Sequence, residues 1–290
     1  MHAVLSAAIS IGFFGLAYAM VLYLISVGLS VTLGLMGVVN LAHGMFAMFG
    51  GYAVTELMGR AGWPFWAALP AGVLVVAAAG VVLERLLYRR LYGGDALDQV
   101  LMTIGLVFMS LAVARYCFGT LDQVFHPPAA LSGQIELAGR SFPTYRSFLI
   151  LCGAALVAVL WLALDRTRFG AMLRAAVDNP RMAEAVGIDT ATLFTISFAL
   201  GSGLAALGGG LGAEILPISP AYPVQYLVDF LIVVAVGGAG SIRGPFLAAL
   251  LLGVAQTAFS YLWPSVGSFF IYALTLGLLM WRPRGLVPAS

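Results

Sequence analysis

The sequence predicts an all-α fold: a polytopic membrane helical bundle of about nine membrane segments (8–10), N-terminus outside and C-terminus cytoplasmic, with 1–290 as a single transmembrane domain. Three observations predict it. Composition is the first: 62% of the 290 residues are apolar and 9% are charged, against roughly 25% charged in soluble domains. So few charges cannot cover a water-soluble surface, which argues against a soluble enzyme, a nucleic-acid binder and a disordered chain. About 180 apolar residues, at ~20 per spanning helix, allow nine spans at most. The second observation is the apolar runs themselves, at 8–33, 37–57, 64–83, 99–118, 147–164, 190–213, 224–240, 245–262 and 264–281. The third is the placement of the arginines.

All fourteen basic residues are arginine, and lysine is absent. If the segments around 84–98, 165–189, 241–244 and 282–290 are inside, they hold ten arginines, and only Arg60, Arg140, Arg146 and the edge residue Arg115 are outside. The positive-inside rule then fixes the orientation and requires an odd number of spans. Pro64, Pro223, Pro245 and Pro264 stand at or just before run starts, where a missing N–H costs nothing. Ala17-Tyr18-Ala19 imitates a signal-peptidase site, but no positive residue precedes it and the apolar run continues to Leu33, so an uncleaved span is expected. The runs 224–240 and 245–262 are short and Gly-interrupted, and one of them is open to a re-entrant or broken course. Two connections are long: an outer loop at about 119–146 and a polar inner segment at about 165–189. Cys117 and Cys152 fit no metal or redox spacing; both fall near outer ends of predicted spans, where a disulfide is geometrically possible, and packing as two small apolar residues is expected instead.

The second run carries Gly37, Asn40, Gly44, Ala47 and Gly51 at helical spacing, and the sixth carries Gly201, Ala205, Gly208 and Gly212. Small residues let membrane helices approach closely, either as static packing or as a moving contact. Asn40 and His43 are the conspicuous polar side chains of the inner third of a span. They serve either as interhelical hydrogen-bond glue or as the lining of a water-filled path. Thr103 and Gly105 of the fourth run are candidates to complete such a lining. No acidic residue is expected at mid-membrane, since Glu56, Glu214 and Asp229 all lie near outer ends; this disfavours an ion-coupled carrier, because such carriers bury carboxylates at the midplane.

Gly237-Gly238-Ala239-Gly240-Ser241-Ile242-Arg243-Gly244-Pro245 superficially suggests a phosphate loop. A Walker A loop ends on a lysine, however, and a dinucleotide fingerprint needs a strand–turn–helix context. A tight inner turn built on Gly237, Gly238, Gly240 and Gly244 is expected instead, and the chain is expected not to hydrolyse ATP by itself. In the inner segment Asn179 suits a helix N-cap, Pro180 the first helical position and Gly187 a left-handed stop. That pattern predicts a two-turn helix offering Met182, Ala183, Val186 and Ile188 to a partner.

Six blocks in order carry a family resemblance. They are Gly34-Leu35-Met36-Gly37-Val38-Val39-Asn40-Leu41-Ala42-His43-Gly44 with Gly50-Gly51-Tyr52; Thr103-Ile104-Gly105-Leu106; Arg168-Phe169-Gly170 to Arg174-Ala175; Met182-Ala183 to Gly187-Ile188; the glycine cluster; and Arg282-Pro283-Arg284-Gly285-Leu286. Nearly end to end, the chain resembles the permease subunits of bacterial ABC importers for branched-chain amino acids, a family that also includes urea and short-amide permeases. The resemblance implies a multi-pass permease domain in the bacterial cytoplasmic (inner) membrane. It implies a second homologous permease subunit, two cytoplasmic ABC ATPase subunits and a periplasmic or extracellular solute-binding protein as partners, with no cofactor, metal or nucleic acid. The path and gate candidates are Asn40, His43, Gly44, Thr103 and Gly105. Arg174, Met182, Ala183, Glu184 and Gly187 are the ATPase-coupling candidates, around a degenerate form of the importer coupling loop, because Ala185 and Val186 replace the usual two small residues. Two other classes compete: an ion-coupled secondary carrier working alone, and a non-transporting membrane scaffold.

Overall fold

Each of the nine apolar runs contains a helix in the computed structural model, whose described residues are 2–38, 40–92, 94–137, 139–238, 240–264, 267–283 and 285–287. Val39, Ala239 and Arg284, which belong to three of the blocks above, lie outside the described residues. In chain order the elements are α1 (His2–Met36), α2 (His43–Gly59), α3 (Phe65–Leu86), a 3-10 turn (Tyr88–Leu91) and α4 (Ala96–Phe118). There follow β1 (Gln134–Leu137), β2 (Arg140–Pro143), α5 (Thr144–Arg166), α6 (Arg168–Asp178), α7 (Pro180–Ala185) and α8 (Thr190–Gly212). The chain closes with α9 (Tyr222–Gln225), α10 (Leu227–Gly237), α11 (Arg243–Leu262) and α12 (Gly267–Trp281).

Among the described residues, six helices are long and apolar enough to cross a membrane: α1 over Ala7–Leu33, α3, α4, α5, α8 and α11. By length and composition the chain is a multi-pass membrane protein. The remaining runs are shorter. The helix α2 has 17 residues, α12 has 15, and the run at 224–240 is split into α9 and the 11-residue α10. Tyr226 interrupts that run, and Gly238, at φ +95°, ends it.

α1 and α8 form the buried centre, with α2 and α3 packed on α8, and α5, α10 and α11 on α1. The glycine stripe of the sixth run decides this pairing. A Cβ on Gly208 would stand 2.6 Å from the Ile25 side chain and one on Gly212 2.5 Å from that of Val21, so the stripe faces α1. Gly28 of α1 answers it: a Cβ there would lie 2.3 Å from the Gly201 carbonyl oxygen. The next face of α8 meets α2, where a Cβ on Gly209 would fall 1.9 Å from the Ala47 carbonyl oxygen. Lipid is as apolar as leucine, so this close backbone approach supplies the cohesion that water exclusion supplies elsewhere. Ala17 and Ala19, the residues of the apparent cleavage site, are buried mid-helix in α1.

The stripe of the second run is only partly helical. Gly37 adopts φ +64° and Asn40 lies in the connection, so α2 starts at His43 and only Gly44, Ala47 and Gly51 share its face. The Asn40 side chain accepts a hydrogen bond from the Ala42 N–H at 3.1 Å, a local turn that competes with helix. Between α4 and α5, β1 and β2 pair antiparallel with Gln134 opposite Pro143 and Leu137 opposite Arg140. Cys117 and Cys152 are both free.

Candidate functional site

The α1–α2 break is the most polar buried region that sequence reasoning singled out. Asn40 and His43 are each 1% exposed. The Asn40 Oδ1 accepts from Ala42 and also from the Tyr88 hydroxyl at 2.8 Å. The His43 Nε2 lies 2.9 Å from the Ile25 carbonyl. A carbonyl only accepts, so Nε2 carries a proton, and the neutral tautomer with that proton has a bare lone pair on Nδ1. Among the described residues, neither that Nδ1 nor the Asn40 Nδ2 has a hydrogen-bond partner. An unused donor and an unused acceptor, three residues apart, therefore sit in apolar surroundings that penalise both. Gly44, at the start of α2, is where the α9 segment docks, since a Cβ there would meet Pro223 at 3.1 Å.

The fourth run contributes less than expected. Thr103 is buried, and its hydroxyl is spent on its own helix, donating to the Gln99 and Val100 carbonyls at 2.9 and 3.1 Å. Gly105 is exposed, with open space where a Cβ would be. Two positions apart on a helix point nearly opposite ways, so Thr103 and Gly105 do not form one lining, and Gly105 lines no buried path.

Glu84 is the buried polar residue that sequence reasoning missed. It stands in the last turn of α3 and is completely buried; it accepts from the Tyr92 hydroxyl at 2.8 Å and the Thr195 hydroxyl at 2.7 Å. A position beside Arg85 at the end of an apolar run suggests a loop charge. The contrary signal is periodicity: Ala68, Gly72, Val76, Gly80 and Glu84 recur every four residues, and all are buried against neighbouring helices.

The 165–189 segment forms the helix its capping residues predict. The Asn179 side chain accepts from the Met182 N–H at 3.0 Å, with Pro180 opening α7. At the other end Gly187 takes φ +88°, the Gly187 N–H reaches the Glu184 carbonyl at 3.0 Å, and the Ile188 N–H reaches the Ala183 carbonyl at 3.0 Å. These two bonds are the Schellman arrangement, which requires a left-handed residue at position 187. Met182 and Val186 are 62% and 71% exposed. Ala183 is not available to a partner. It is buried with Leu173, Ala176 and Leu193, because the face of a six-residue helix that closes on α6 and α8 must be apolar. The Glu184 carboxylate accepts from the Thr190 hydroxyl at 2.5 Å, tying α7 to the start of α8. Arg174 is drawn the other way, donating to the Leu164 carbonyl in the last turn of α5 at 2.6 Å.

The glycine-rich segment is a sharp turn between α10 and α11. Gly238 and Gly240 have φ of +95° and +85°, and a Cβ on Gly244 would lie 2.0 Å from the Gly237 carbonyl oxygen. The Ser241 Oγ accepts from the Gly244 N–H, while the Ser30 hydroxyl donates to the Ser241 carbonyl, each at 3.0 Å. The residues after α12 return to this turn: the Leu286 and Val287 N–H groups donate to the Val236 and Gly237 carbonyls at 2.7 and 3.2 Å.

Small-residue helices thus surround a buried polar break, and a helix capped at both ends lies in the α5–α8 connection. The chain belongs to the family described as the permease component of branched-chain amino acid transport systems, whose model matches residues 11–279. It is 30% identical to the high-affinity branched-chain amino acid transport system permease protein BraD of Pseudomonas aeruginosa, over 94% of this chain and 93% of that one. It is 27% identical to the corresponding protein LivH of Escherichia coli K12, over 91% and 90% of the two chains. It is also 26% identical to LivM of the same organism, over 93% of this chain and 68% of LivM. No solved structure gives a significant match.

Proposed function

We propose that this chain is the transmembrane permease subunit of an ATP-driven ABC importer that carries branched-chain amino acids across the bacterial cytoplasmic membrane. The observation that carries the reading, beside the family, is α7: a helix capped at both ends, with Met182 and Val186 turned outward at the mouth of α8. Two caps hold this short helix in one shape and leave Met182 and Val186 facing outward together, which suits a partner surface. In this reading α7 is the element that two cytoplasmic ATPases move, and Gly187 fixes its exit while Glu184 transmits its position to α8. A second homologous permease completes the path, and a solute-binding protein delivers substrate from outside. Sequence similarity to both LivH and LivM of one organism supports a paired permease. Asn40, His43 and Gly44 line the path at the α1–α2 break, where unused hydrogen-bonding atoms suit a polar solute. Residues 1–290 act as one domain with nine membrane segments, α9–α10 counting as one broken segment.

The test is reconstitution. Vesicles holding this chain, its partner permease and the ATPases should take up leucine when ATP and loaded binding protein are supplied, and vesicles holding this chain alone should not. Pumping by the lone chain under an ion gradient would overturn the reading in favour of a secondary carrier. Binding of urea or acetamide instead of leucine by the soluble partner would move the substrate to the short-amide class.

A further inference from the structure

We infer that Glu84 is a positioning residue that connects the docking helix α7 to the polar break at Asn40, an inference that rests on the permease reading above. The connection runs through contacts between different elements. Glu184 of α7 holds the Thr190 hydroxyl in the first turn of α8. One and a half turns along α8, the Thr195 hydroxyl donates to the Glu84 Oε2 at 2.7 Å. The other carboxylate oxygen, Oε1, accepts from Tyr92 at 2.8 Å. Tyr92 directly follows the 3-10 turn that begins at Tyr88, and the Tyr88 hydroxyl donates to the Asn40 Oδ1 at 2.8 Å. Asn40 in turn sets the Ala42 N–H, one residue before His43 opens α2.

Glu84 is the hub of this series. Its two oxygens take one hydroxyl from α8 and one from the 88–92 segment, and the side chain is completely buried. Ion pairs among the described residues join Arg60 to Glu56, Arg146 to Glu214 and Arg243 to Asp165, and Glu84 is in none of them. A buried carboxylate held only by hydroxyls is a costly way to fill space, since an apolar side chain of the same volume avoids the desolvation. The hydroxyls give direction instead: a displacement of α8 shifts Thr195, and the carboxylate passes it to Tyr92 because each of its oxygens is already held by one of the two hydroxyls. Aromatic packing keeps the same elements in register, with Tyr92 against Phe194 and Tyr88 against Phe198 at ring centroid distances of 5.7 and 4.6 Å. Coupling therefore travels from the docking face to the path through α8 and the 88–92 segment, which Gln99 of α4 also holds by donating to the Leu91 carbonyl at 3.2 Å.

The experiment compares leucine taken up per ATP hydrolysed in vesicles containing the complete transporter, with Thr195→Val and Tyr92→Phe. Each removes one hydroxyl that reaches Glu84 and keeps the side-chain outline. Both should lower the uptake-to-hydrolysis ratio about 3- to 30-fold while the amount of assembled complex and the basal ATPase rate stay at wild-type values. Thr195→Ser, which keeps the hydroxyl, should restore the ratio. Because the links lie in series, the double variant should do no worse than the poorer single. Wild-type ratios in both single variants, or losses that multiply in the double, would overturn the role of Glu84 while leaving the permease reading intact. A wild-type complex that assembles yet moves no leucine would overturn the permease reading and Glu84's role with it.

Discussion

His43 shows how much a single hydrogen bond decides in a dry environment. Its Nε2 is occupied by Ile25, so any further chemistry falls to Nδ1, a buried acceptor with no partner among the described residues. As interhelical glue the residue would use both ring nitrogens; as a path residue it keeps one free for the solute or for water. His43→Leu distinguishes the two. Loss of one neutral bond is offset by removal of an unsatisfied acceptor, so thermal unfolding in detergent should change by no more than about 1 kcal/mol. Leucine uptake by the assembled transporter should nevertheless fall at least about ten-fold, corresponding to about 1.4 kcal/mol at the transition state. Equal losses of stability and uptake would make His43 a packing residue. Tyr88→Phe is the complement: Asn40 keeps its Ala42 bond but loses the hydroxyl, at a cost to stability of about 1 kcal/mol.

Helices obey a different arithmetic, in which glycine is costly for the element and necessary for its neighbour. Gly209 permits the Ala47 backbone to approach, and a Cβ would fall 1.9 Å from a carbonyl that cannot move without α2. Gly209→Ala should destabilise the bundle by about 1–3 kcal/mol. Gly12, with nothing within 4 Å, should become up to about 1 kcal/mol more stable as alanine. Detergent unfolding of the two variants checks both signs. In α7, Asn179→Ala removes a cap worth about 1 kcal/mol, and faster hydrogen exchange at the Met182 amide, by about five-fold, would register it. That cap was legible because it is local: Asn179, Pro180 and Gly187 act on backbone groups within a few residues. Glu84 and Asn40 were not legible in the same way. Whether Glu84 is solvated depends on Thr195 and Tyr92 closing over it, and Asn40 leaves the helix because its own side chain offers the backbone another bond. The same limit hid the burial of Ala183, which follows from α6 and α8 rather than from α7. The glycine stripe was legible as a contact face, and its partner, α1, only once Ile25 and Val21 were seen against it.

For the whole molecule, the contacts sort the chain into two ends. At one, Arg140 bonds Ser10, Arg146 pairs with Glu214 at 3.1 Å, the Tyr145 hydroxyl donates to the Leu211 carbonyl at 2.8 Å, and the Gln123 N–H donates to the Ile218 carbonyl at 2.8 Å. The other gathers Ser30 with Ser241, Arg243 with Asp165 at 2.9 Å, and Leu286 with Val236. These contacts join the start of α1 to the start of α5 and the end of α8, and the end of α1 to the end of α10 and the residues after α12. That sorting agrees with the nine alternating segments proposed above, in which α2 and α9–α10 cross despite their length and the two termini emerge on opposite sides. Arginine placement predicts which side is which. Single cysteines at Met182 and Glu136, in a chain with Cys117 and Cys152 replaced by alanine, test it in intact cells. A membrane-impermeant maleimide should label Glu136→Cys from outside and leave Met182→Cys unlabelled until the cells are opened. Labelling of both from outside would break the alternation between residues 136 and 182, where α5 is the one full-length helix that separates the hairpin from α7. It would also remove α7 from the side on which ATP is available, and with it the reason for two caps and an exposed apolar face.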